Sequence, residues 1–276
     1  MEPRDKYVRI NGLRLHYLEW GRRTKPLMLL LHGLTSHARI WDDVAAAFNG
    51  KYHIIALDQR GHGESQWSEE MAYGIEDHFS DIAAFIEQLD PEHLTILGHS
   101  MGGRNALFYA ACRPERIERL IAVDARPGNN PVSSETLRIH LTRLPLEAAS
   151  YEQIASDVGY LYPTLGADVI FHIVRHGYNR LTDGRLVPKF DIRMAASLES
   201  AGYAAVDLWQ YLEHIFCPTL VIRGQDSTFL TAEDARRMCR LLPNARLEEI
   251  PESTHMPAHE NPAFFNRAVS EFLDTP

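Results

Sequence analysis

The sequence is poor in cysteine, with only Cys112, Cys217 and Cys239, far apart and without a C-x-x-C pair. An odd number of widely spaced thiols builds no disulfide framework. It suits a reducing compartment, and a cytoplasmic location is the expectation. Long apolar runs are also missing. No window approaches the ~18 uninterrupted apolar residues of a membrane span. The charged opening Met1-Glu2-Pro3-Arg4-Asp5-Lys6 has none of the apolar stretch of a secretory signal. Positive charge is in deficit: a formal charge of -9 argues against nucleic acid or an anionic membrane as the natural partner. Histidine is plentiful, with 14 copies, and two pairs stand four apart, His172 with His176 and His255 with His259. On a helix each pair would share a face. Neither forms H-E-x-x-H, however, and no nearby carboxylate completes a ligand set, so no metal is expected.

What is present is a rhythm of strands and helices. Tyr7 to Trp20 alternates in polarity on both sides of Asn11-Gly12, a hairpin signal. Pro26 to Leu31 is apolar without alternation, which suits a central strand covered on both faces. Similar runs recur at His53 to Leu57, Leu94 to Leu97, Ile117 to Val123 and Pro218 to Gly224, with a further strand from Arg246 to Ile250. Helical spacing runs through Ile40 to Phe48, Ile75 to Leu89, the stretch after Ser100, Ala232 to Leu241, and a last helix opened by Asn261-Pro262. From about Arg126 to His214 the strand signal fades. Helical runs over 134–144, 151–161, 167–178 and 194–211 replace it, with a tight turn at Asp183-Gly184. The expectation is an α/β fold: a mostly parallel central sheet with helices on both faces, built from residues 1–125 and 215–276. A helical insertion, 126–214, would interrupt it.

The stretch Gly98-His99-Ser100-Met101-Gly102 marks a strand turning sharply into a helix. A serine at such an apex takes a strained backbone conformation, and glycines two before and two after it remove side chains that would clash. The turn aims the hydroxyl at a helix N-terminus, where N–H groups can hold a developing negative charge. In an open α/β sheet, function collects at the carboxyl ends of the strands. There stand His32-Gly33-Leu34, Asp58, Ser100, Asp124, Asp226 and His255. A serine hydroxyl needs a histidine to take its proton, and the histidine needs a carboxylate. Ser100, Asp226 and His255 supply the three in chain order. Asp226 is preferred as the acid because a polar loop directly follows its strand; Asp124 is the alternative. His255 is preferred as the base over His259, which is pressed against the final helix. His99 is expected to be a packed residue pointing away from the serine.

Taken together, these stretches resemble the α/β-hydrolase superfamily over essentially all of the chain outside the insertion. The resemblance rests on His32-Gly33 after a strand, Asp58-Gln59-Arg60-Gly61-His62-Gly63-Glu64-Ser65, Gly98-His99-Ser100-Met101-Gly102-Gly103, Gly224-Gln225-Asp226, and His255 before Glu260-Asn261-Pro262. It implies a triad in the order Ser, Asp, His, with the insertion as a helical cap. Met101 N–H, next after the nucleophile, is one oxyanion donor, and the resemblance assigns Leu34 N–H as the other. The Asp58 to Ser65 loop is read as structural. Arg126, Tyr160, His172, His176 and Trp209 are candidate pocket residues, together with Tyr178, although aromatics at helical spacing are more often packing.

The resemblance therefore implies a serine hydrolase that cleaves a small carboxylic ester or lactone through an acyl-enzyme, with no cofactor. A serine at position 100 speaks against the haloalkane dehalogenase and epoxide hydrolase activities, whose relatives use a carboxylate there. Amidase, thioesterase and C–C bond hydrolase activity on the same triad are alternatives. So are cofactor-free oxygenase or lyase chemistry and a ligand-binding receptor with little turnover. The partner is a small acyl substrate; a homo-oligomer is neither required nor excluded.

Overall fold

The computed structural model describes residues 2–128, 138–139, 141–194 and 206–275. The chain opens with strands β1 (Arg4–Ile10) and β2 (Leu13–Trp20), paired antiparallel. The turn between them has positive φ at both Asn11 (48°) and Gly12 (81°), as the Asn-Gly pair predicts. Strands β3 (Leu27–Leu31), β4 (His53–Leu57), β5 (Leu94–His99), β6 (Arg119–Val123), β9 (Thr219–Gly224) and β10 (Ala245–Ile250) follow. Among the described residues they form one sheet of eight strands in the order β1-β2-β4-β3-β5-β6-β9-β10. All pairings from β4 through β10 are parallel.

The unbroken apolar runs have the expected cause. Every residue of β3, β4 and β5 is buried, because each strand presents alternate side chains to two covered faces. Leu29, Leu31, Ile55 and Ile96 point to one side. There they meet helices α2 (Ile75–Leu89) and α3 (Met101–Cys112). Met28, Leu30, Ile54 and Leu97 point to the other side, toward α1 (Asp42–Phe48) and the last helix. That helix, Pro262–Leu273, starts where Asn261-Pro262 predicts it, with Asn261 Oδ1 accepting the Phe264 N–H at 3.3 Å.

Between β6 and β9 lie α4 (Tyr151–Leu161), α5 (Ala167–Gly177) and a small ribbon of β7 (Tyr178–Arg180) and β8 (Leu186–Pro188). The ribbon is absent from the sequence reading, which extends the helix to 178 and gives only the turn; Gly184 (φ 90°) lies in that turn. The helical runs expected over 134–144 and 194–211 fall in part on residues outside those described. The end of the second stretch is a 3₁₀ segment, Leu208–His214. Its Leu208 and Leu212 are packed into the sheet-side core. No helix among the described residues is long and apolar enough to cross a membrane.

Candidate active site

Ser100 stands between β5 and α3 with φ 52° and ψ -113°. A non-glycine residue held there carries strain of roughly 1–3 kcal/mol, which only close surrounding packing sustains. That packing is visible. A side chain at Gly98 would strike the Gly102 carbonyl, and one at Gly102 would strike the Leu31 carbonyl. The Ser100 N–H donates to Val123 O at 2.9 Å, pinning the apex to the neighbouring strand.

His255 Nε2 lies 3.0 Å from Ser100 Oγ, and His255 Nδ1 lies 2.7 Å from Asp124 Oδ2. The Nδ1–H donates to the carboxylate, which leaves the Nε2 lone pair to accept from the serine hydroxyl. Here the sequence expectation is corrected: Asp124, at the end of β6, and not Asp226, sits against the histidine. Both ring nitrogens of His255 are already engaged, so none is left for Asp226. Asp226 is exposed in the loop after β9, its backbone N–H donating to Ser253 O at 2.9 Å. Nor does Asp226 cap the helix that follows, Ala232–Leu241; Thr231 Oγ1 accepts the Asp234 N–H at 3.1 Å. His259, the rival base, is turned away and bonds Ile40 O at 2.9 Å.

Asp124 is 1% exposed. Burial pushes its carboxyl up, to about 7, against the hydrogen bonds from Ser227 and the Gly224 N–H and the nearby His99 and Arg223.

Several contributors to this site carry no sequence motif. Ser227 Oγ reaches Asp124 Oδ2 at 2.6 Å. Phe229 stacks on the His255 ring, with centroids 3.9 Å apart. Glu260 holds the loop that bears His255: its Oε2 accepts the N–H of Thr254 at 2.7 Å and of Met256 at 3.1 Å, on either side of the histidine. His99 is buried but does more than pack. Its Nε2–H donates to His255 O at 2.7 Å, and burial holds its pKa down to about 3, so the ring is neutral.

The Gly33–Ser36 turn, closed by Ser36 N–H to Gly33 O at 3.3 Å, carries Thr35 at φ 63°. It lies against the nucleophile: a Cβ at Gly33 would be 3.3 Å from Ser100 Cβ. His32 Nδ1–H donates to Gly33 O at 2.7 Å, and its Nε2 accepts the Gln59 N–H at 3.0 Å. In a trans peptide the carbonyl and the following N–H point in opposite directions, so fixing Gly33 O also fixes the direction of Leu34 N–H. Burial keeps His32 neutral, near a pKa of 3. Met101 occupies the first position of α3, where helix N–H groups point outward along the axis. In the Asp58 loop, Asp58 accepts from His16 Nδ1 at 2.7 Å and from Ala38 N–H at 2.6 Å.

The candidate pocket residues each have a partner in the fold. Arg126 pairs with Asp234 at 2.7 Å, and Tyr160 is 71% exposed beneath Arg143. His172 bonds Arg39 O at 3.0 Å, His176 packs against His172, Trp209 lies under Arg237, and Tyr178 is buried in the α4–α5 core. Leu34 packs, with Leu144, against a buried apolar cluster of Tyr73, Phe190 and Met194. Leucine, phenylalanine and methionine without helical spacing gave no signal for it. Among the described residues, no group of three metal-ligating side chains is gathered.

Known proteins carry the same architecture. The chain is 30% identical over 273 residues to the 2-(acetamidomethylene)succinate hydrolase of Mesorhizobium japonicum, covering 98% of this chain and 95% of that one. It is 28% identical to the N-formylmaleamate deformylase of Pseudomonas putida, covering 98% and 96%. A crystal structure of E-2-(acetamidomethylene)succinate hydrolase superposes with a TM-score of 0.91 at 27% identity, over 99% of this chain and 100% of that one. The family model of the α/β hydrolase fold matches residues 26–262, which spans the strands from β3 to β10, the serine turn and the histidine loop alike. With sequence, sheet order and relatives in agreement, this chain is a member of the α/β-hydrolase fold family.

Proposed function

We propose that the protein is a serine hydrolase that cleaves a small carboxylic ester or lactone by acyl transfer. One observation carries the reading: the unbroken hydrogen-bonded line from Ser100 Oγ through His255 to the buried Asp124. Ser100 Oγ attacks the substrate carbonyl while His255 Nε2 takes its proton. Asp124 holds the ring and balances the imidazolium that forms. The N–H groups of Leu34 and Met101 receive the oxyanion. His255 then gives its proton to the leaving oxygen, and a water that it activates releases the acid from the acyl-enzyme. Residues 126–214 act as a cap over this centre and select the substrate.

A second reading follows from the relatives. Two are named for an acetamidomethylene succinate and an N-formylmaleamate, so hydrolysis of an N-acyl bond is the competing reaction. The same residues serve it, with the proton from His255 going to a leaving nitrogen. A panel of aryl esters, lactones and N-acyl compounds separates the two. A phosphonate probe should label Ser100, and Ser100→Ala should lower kcat/KM by about 10⁴-fold or more. Undiminished turnover in that variant, or no labelling at Ser100, would overturn the serine mechanism.

A further inference from the structure

The loop after β9, where the sequence places the acid, has a different part in this molecule. Ser227 Oγ accepts the N–H of Phe229 at 3.2 Å and of Leu230 at 3.3 Å. A hydroxyl has two lone pairs and one proton. With both lone pairs engaged, the proton is left for Asp124 Oδ2 at 2.6 Å, the same oxygen that receives His255. The hydroxyl has little room to turn away, because Arg223 closes the loop around it. Arg223 Nε donates to Leu230 O at 3.1 Å and Nη2 to Gln225 O at 3.0 Å, while Nη1 is anchored on Glu249 at 2.7 Å. Ser227 is 7% exposed.

We propose that Ser227 is a positioning residue for the acid: its hydroxyl proton, aimed by the Phe229 and Leu230 N–H groups, keeps the Asp124 carboxylate ionised and turned toward His255. The proposal rests on the serine-hydrolase reading above. A hydrogen bond to the charged form of a carboxyl favours that form. The other groups that face Asp124 are His255 from the loop after β10, His99 from β5, and Arg223 and the Gly224 N–H from β9. Ser227 adds a short, neutral donor to this set, one that does not itself titrate in the working range. Losing it would leave Asp124 buried with one donor fewer, and the acid limb of reactivity would move to higher pH.

The rate of Ser100 phosphonylation by a fluorophosphonate, followed against pH on the full chain, tests this without knowledge of the substrate. In Ser227→Ala the limb should rise by about one pH unit. Labelling near pH 6 should then be about tenfold slower, while the rate near pH 9 stays within about twofold. Ser227→Thr, which keeps the hydroxyl, should restore the wild-type limb, and Ser227→Cys, a weaker donor of similar size, should fall between. Melting curves identify which variants fold, and Ser227→Cys carries the test if Ser227→Ala does not. A folded variant lacking the hydroxyl with an unmoved limb would overturn the role of Ser227 alone. Failure of the wild type to label at Ser100 would overturn the hydrolase reading instead.

Discussion

At the scale of single residues, the carboxylate that faces His255 follows from which strand end lies nearest the serine strand. β6 pairs directly with β5, whereas β9 is one strand further out. Asp124, at φ 44°, turns its side chain back across β9 to the Gly224 N–H and Ser227, and forward to His255. Asp124→Asn should therefore lower kcat by about 10⁴-fold, since an amide cannot hold the same histidine tautomer. Asp226→Asn, at an exposed position, should stay within about twofold. Steady-state kinetics on one cleaved substrate compare the two, and the reverse ranking would reinstate Asp226. The sequence offers both residues in the same context, an aspartate just past a buried strand. Nothing in their spacing tells which carboxylate a distant histidine will meet. That choice belongs to sheet order, and pairing between strands so far apart in the chain leaves no local pattern. Ser100 and His255 were legible for the opposite reason: the glycines around the serine and the short loop before Asn261-Pro262 are local constraints.

At the scale of elements, Arg104 ties the serine helix to both ends of the segment between β6 and β9. It is 7% exposed. Its Nη1 donates to Arg126 O at 2.9 Å and Pro127 O at 2.6 Å, and its Nη2 to Val206 O at 3.0 Å. One turn of helix separates it from the nucleophile, with Arg104 N–H donating to Ser100 O at 3.0 Å. Hydrogen bonds from a charged donor contribute roughly 1.5–3 kcal/mol each, and buried carbonyls left without partners add to the loss. Arg104→Met keeps the helix and the apolar stem. It should cost about 3 kcal/mol or more in urea denaturation and speed proteolytic cleavage between residues 126 and 206. An unchanged midpoint together with an unchanged cleavage pattern would show that the ends of this segment are held elsewhere. In the sequence Arg104 reads as one more polar residue on a helix, because its partners are backbone carbonyls, which any residue supplies. The strands β3 to β6 were legible because burial on both faces demands apolar residues at most positions. The β7–β8 ribbon was not, since strands of three residues leave no periodicity to read.

At the scale of the whole molecule, the unusual quantity is buried neutral histidine. Burial is the leading cause holding His32 and His99 near a pKa of 3, His37 and His62 near 4, and His78 well below its ordinary value. In the unfolded chain these rings titrate near 6.5, so between pH 6.5 and about 4 the unfolded state binds protons that the native state refuses. The slope of unfolding free energy with pH is then positive, and stability is lost as pH falls through that window. Each such ring costs about 2 kcal/mol by pH 5, and several together approach the 5–15 kcal/mol on which a domain's stability rests. Asp124 opposes the trend, because its raised carboxyl favours the native state as pH falls from about 7 toward 3.8. Asp58, lowered to about 2, joins the losses only below the ordinary aspartate range. The raised His16 and His172 oppose the trend too, and the more numerous lowered histidines, His176 and His259 among them, decide the sign. The melting temperature, read by circular dichroism in buffers of constant ionic strength, should be flat from pH 8 to 7 and then fall by about 10 °C or more on reaching pH 5. A melting temperature level through that range would mean that these rings take up protons inside the fold, against the burial that surrounds them.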